Sequence, residues 1–89
     1  MLSLASLASQ TVALYRIYVY RNGVLHCLPG HYETTEDAKA AFEKHRADTR
    51  WCLIGDVDPH TNRPTFILHG EAAAGQRVRW KQVRWKPLG

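Results

Sequence analysis

Two short runs, Tyr15–Tyr20 and Val24–Leu28, are dense in β-branched and aromatic residues, and Arg21, Asn22 and Gly23 stand between them. Such runs fit a pleated, half-buried surface. Asn-Gly supplies positive φ at both central positions of a type I′ turn, the tightest link between antiparallel strands. The pattern therefore predicts a hairpin with Tyr20 opposite Leu25, Val19 opposite His26, Tyr18 opposite Cys27, and Ile17 opposite Leu28. One face then carries Ile17, Val19, His26 and Leu28 and reads as core, with His26 as a core or edge histidine. The other carries Tyr18, Tyr20, Leu25 and Cys27, with Arg16 beside them. That second face reads as a partly exposed aromatic surface.

Pro29-Gly30 ends the hairpin, because proline donates nothing to a ladder and glycine opens a turn. A helix is predicted over Thr35–Ala47. Thr34 with Asp37 three residues on resembles a capping box, and Glu33, Glu36 and Asp37 sit at the positive end of the helix dipole. Lys44, His45 and Arg46 fall at the negative end. Ala38, Ala41, Phe42 and His45 make one narrow stripe, which suits a helix lying close on a sheet. Beyond it, Arg50–Val57 reads as a third strand, Asp58–Pro64 as a loop and Thr65–His69 as a fourth strand antiparallel to the third. Gly70–Gly75 reads as a break with weak helical character. Gln76–Lys86 reads as a fifth strand or an extended arm. The order β-β-α-β-β, with a further C-terminal strand, implies an antiparallel sheet of four to five strands with one helix packed on one face, the α+β class. Phe42, Ile17, Val19, Leu53 and Ile54 are the expected core.

At 89 residues, 45% hydrophobic and 22% charged, the chain has the composition of one globular domain. It divides into an uncharged lead-in (1–14), an α+β core (15–71) and a basic, Trp-bearing C-terminal segment (76–89). No apolar run is long enough for a membrane span, because Arg16, Arg21 and Asn22 interrupt the candidates. The lead-in lacks the cationic start of a secretory signal and reads as a short amphipathic helix. Cys27 and Cys52 are too few for a disulfide framework, so free thiols, buried within strands, and a cytoplasmic setting are expected.

Charge changes this picture. The formal net charge is +4, but residues 16–71 hold seven Lys/Arg against eight Asp/Glu and are nearly neutral. The excess lies at the C-terminal end, in Arg77, Arg79, Lys81, Arg84 and Lys86, with no acid among them. Trp80 and Trp85 are interleaved with these. Basic side chains replace phosphate counterions, and Trp or Tyr rings stack on unpaired bases. A spacing of five places the two tryptophans on opposite faces of a regular strand. Both can share a face only through a bulge; otherwise one is exposed.

Catalytic chemistry finds little to work with. Ser3, Ser6 and Ser9 lie outside the predicted elements, and neither cysteine lies at a helix N-terminus, where a thiolate is favoured. Cys27 and His31 lack the second close ligand pair of a zinc site. Asp56, Asp58 and His60 read as turn residues before they read as ion ligands. No Gly-rich phosphate loop appears. No metal or cofactor is expected. The sequence thus points to a non-enzymatic domain that contacts nucleic acid through Arg77, Arg79, Trp80, Lys81, Arg84, Trp85 and Lys86, with Tyr18 and Tyr20 adding aromatic surface. The alternative is a small protein-binding inhibitor or adaptor, of the kind phages and mobile elements encode, using the same Trp/Arg surface. Peripheral membrane contact is weaker, because the basic stretch shows no helical amphipathicity.

Overall fold

The computed structural model describes residues 14–46, 49–73 and 75–86; the helix expected in the lead-in, the end of the expected helix at Ala47 and the last three residues lie outside them. The chain forms β1 (Tyr15–Arg21), β2 (Val24–Cys27), α1 (Thr35–His45), β3 (Trp51–Val57), β4 (Pro64–Glu71) and β5 (Arg79–Trp85). The strands make a five-stranded antiparallel sheet in the order β2-β1-β3-β4-β5. With α1 it is an α+β arrangement. No helix among the described residues is long and apolar enough to cross a membrane.

Local chemistry sets the first two elements. Asn22 and Gly23 have φ of 54° and 77°, as a type I′ turn demands, and Tyr18 pairs with Cys27, Val19 with His26 and Tyr20 with Leu25. Leu28 N–H donates to the Ile17 carbonyl at 2.8 Å and closes the pairing. Thr34 caps α1 in extended conformation, its Oγ1 accepting from the Asp37 N–H at 3.1 Å. Glu36 and Asp37 occupy the first turn and Lys44 and His45 the last.

Ala38 and Phe42 of α1 bury against Ile17 and Val19 of β1, Cys52 and Ile54 of β3, and Leu68 of β4. Ala72 and Val78, flanking the β4–β5 connection, complete this core. The Ala72 N–H donates to the Arg50 carbonyl at 2.7 Å. Of the expected core residues, only Leu53 belongs elsewhere: it is buried on the opposite face.

Three expectations are corrected. Gly70 is not a break, for β4 runs through it to Glu71. The Trp80 ring lies against it: an ideal Cβ at Gly70 would stand 2.5 Å from Trp80 Cζ3. Only glycine leaves room for that ring. Cys27 is exposed rather than buried, since β2 is an edge strand. His26 takes its expected register yet is also exposed, because α1 packs on β1 and β3 and leaves β2 uncovered.

Cys52 is buried, and burial pushes its thiol from the ordinary 9.0 up to about 12, a rise opposed by a backbone hydrogen bond involving Gly70. In the unfolded chain the thiol ionises near its ordinary value, so from there to about 12 the unfolded state binds fewer protons and stability falls as pH rises. Below that window the contribution is fully present. Denaturant titrations across the alkaline range should show this decline, and Cys52→Ala should delay its onset. An unchanged onset would refute the assignment to Cys52.

Candidate nucleic-acid interface

Alternation along the strands assigns a second set of side chains to the sheet face opposite α1. Arg16, Tyr18 and Tyr20 come from β1, Leu25 and Cys27 from β2, and Trp51 and Leu53 from β3. The β4 register slips by one residue at Ile67, which lets Phe66 face this side while Leu68 faces α1. His69 follows on β4. On β5, Lys81 pairs across from His69 and Trp85 from Phe66, with Val83 between them.

Tyr18, Leu53 and Phe66 form the buried floor of this face, Tyr18 meeting Phe66 edge-to-face at 5.3 Å. Burial first, and the neighbouring Cys27 second, push the Tyr18 hydroxyl up to about 12, against the opposing pull of Arg16. It therefore stays a neutral phenol at physiological pH. Over this floor runs a row of rings. Tyr20 lies 5.2 Å from Trp51, Trp51 5.7 Å from His69, and His69 6.2 Å from Trp85. Tyr20 and Trp85 are 49% and 51% exposed, so the ends of the row are open to solvent. Among the described residues the hydrophobic cluster of this face is drawn from the strands alone, and α1 packs on the other face.

The five C-terminal cations separate. Arg79 and Lys81 pair with Glu71 and His69, which assigns them to the aromatic face. Arg77 joins Arg79 beside Trp51. Arg84 lies on the other side, in a depression with Thr35, Glu36 and Lys39 of α1. Lys86 lies with Asp58 and Arg63 at the far end of the sheet. The tryptophans separate as well. Trp80 packs on the α1 face, edge-to-face with Phe42 at 6.0 Å and with Lys39 Nζ 5.9 Å from its ring. Trp85 belongs to the exposed row. Of the two aromatic-face tyrosines, Tyr18 lies in the floor and Tyr20 at the surface.

Two members of this surface lay outside the residues singled out in the sequence: Trp51 and His69. Each was readable in part. Trp51 and Leu53 alternate with Cys52 and Ile54, which marks a two-sided strand. What the sequence does not carry is the pairing of β3 and β4 that sets His69 beside Trp51.

Asp58 is engaged locally, its Oδ1 accepting from the His60 N–H at 2.8 Å and the Thr61 N–H at 3.4 Å. Among the described residues no three His, Cys, Asp or Glu side chains are grouped to hold a metal ion. Comparison of the chain with protein-family models, curated proteins and solved structures gives no significant match.

Proposed function

We propose that the aromatic face of the sheet is a non-catalytic platform for single-stranded nucleic acid. One observation carries the reading: the ring row Tyr20–Trp51–His69–Trp85 crosses four strands, with Arg79 and Lys81 on the same face. Every base presents a π-face to such a row, and stacking is worth ~1–3 kcal/mol per base. Lys81 and the arginines supply the charge that replaces phosphate counterions. A duplex keeps its base faces stacked internally, so a row of rings open at both ends favours an unpaired strand. Contacts made through ring faces and phosphates read little sequence. The competing protein-binding reading rests on the same residues and expects no affinity for nucleic acid.

Salt separates the two. Binding of a single-stranded oligonucleotide, followed by fluorescence anisotropy, should weaken with salt, with a log–log slope of roughly −1.5 to −3 for two to four neutralised phosphates. Lys81→Ala should flatten that slope by about 0.7, the share of one phosphate in a single strand. Arg84→Ala should leave it unchanged, because Arg84 lies on the α1 side. No binding of DNA or RNA at low salt would overturn the platform reading and leave a protein partner as the ligand of this face.

A further inference from the structure

Where β3 and β5 begin, the sheet ends in a depression of about 510 Å³ whose lining includes Arg50, Trp51, Glu71, Gln76, Arg77 and Arg79. Three arginines and one glutamate thus share one lining. All three arginines are exposed, and among the described residues none has an ion-pair partner within 4.0 Å. Glu71, across from Arg79 in the β4–β5 pairing, is the only acid in the lining among the described residues.

The rim is held from below. Arg46, at the end of α1, donates from Nη2 to the Gln76 carbonyl at 2.6 Å and from Nη1 to the Thr49 carbonyl at 3.3 Å. It thus ties together the residues immediately before Arg77 and Arg50. The Ala72 N–H bonded to the Arg50 carbonyl fixes the same rim to the end of β4. Three cations gathered on a braced rim repel one another, and a bound phosphate anion relieves that. Guanidinium suits phosphate because its planar fork gives paired hydrogen bonds.

Trp51 belongs both to this lining and to the ring row. We propose that Arg50, Arg77 and Arg79 together bind one phosphate group of a single strand whose adjacent base lies on Trp51. The proposal deepens the platform reading and rests on it. It names the place on the platform where the backbone is gripped. The phosphate is either internal to the strand or at its end.

The test uses the full chain and three oligothymidylates of equal length, bearing a 5′-phosphate, a 3′-phosphate or neither, titrated calorimetrically over a range of salt. The R50A/R77A variant should bind about tenfold or more weakly, the loss expected on removing charged hydrogen bonds. Its salt slope should fall by only about 0.7, as for one phosphate, and each single variant should already produce most of that fall. If the phosphate is terminal, one phosphorylated strand binds the wild type best and loses that advantage in the variant. If it is internal, all three strands weaken alike. The R50K/R77K variant keeps the charge and the fold, and it should lose affinity while keeping the slope. Wild-type binding that survives unchanged in R50A/R77A, or a slope that falls by about 1.4 as for two separate phosphates, overturns this site alone. A wild type that binds none of the three strands overturns the platform as well.

Discussion

Phe42→Ala should lower the stability of the fold by about 3–5 kcal/mol, the range for emptying a buried aromatic site. The side chain is 2% exposed and sits over Ile17, Val19 and Cys52, with Trp80 edge-to-face against it. It is also the main apolar attachment of α1, whose other fully buried residue is only Ala38. The neighbours of Phe42 are strand residues fixed by ladder hydrogen bonds, so they cannot collapse into the space it leaves. A domain of this size has roughly 5–10 kcal/mol of total stability, so the variant should be close to unfolded at physiological temperature. Urea titration with an unchanged slope and a much lower midpoint is the expected result. A loss below about 1 kcal/mol would mean that α1 is not seated on the sheet through Phe42.

What could be read from the sequence followed the range of the interactions involved. The Asn22-Gly23 turn, the Thr34 cap and the division of β1 and β2 into a core face and an aromatic face depend on residues a few positions apart. They appear in the sequence almost as they appear in the fold. The expected strand at Thr65–His69 grew to Pro64–Glu71 because the reason for Gly70 lies ten positions away, in the Trp80 ring above it. Adding charges along the chain put Arg50 in a neutral stretch, although in space it stands with Arg77 and Arg79. The aromatic row is a product of topology: Tyr20, Trp51, His69 and Trp85 come from four strands whose order no local pattern encodes. Sequence alternation identified only the part of that face that β1 and β2 contribute, which the hairpin register fixes.

The same alternation makes Trp80 and Trp85 a matched pair for experiment. Trp80→Ala should cost about 3 kcal/mol or more of stability, because its ring fills the space between Gly70, Phe42 and Lys39. Trp80→Phe should cost less, since it keeps most of the contact and removes a buried indole N–H that has no partner among the described residues. Neither change should alter the affinity of the folded chain for a single strand, because Trp80 lies on the α1 face. Trp85→Ala should do the reverse. At 51% exposure its removal should move stability by about 0.5 kcal/mol or less. It should weaken single-strand binding by ~1–3 kcal/mol, which is the loss of one stacked base. The salt slope should stay as in the wild type, since stacking releases no counterions, whereas Lys81→Ala lowers it. Thermal melts and salt-dependent anisotropy on the two alanine variants measure both quantities. If Trp85→Ala destabilises the fold as much as Trp80→Ala, Trp85 belongs to the core and the exposed row does not exist. If it leaves affinity unchanged while the wild type binds, bases do not stack at the β5 end of the row.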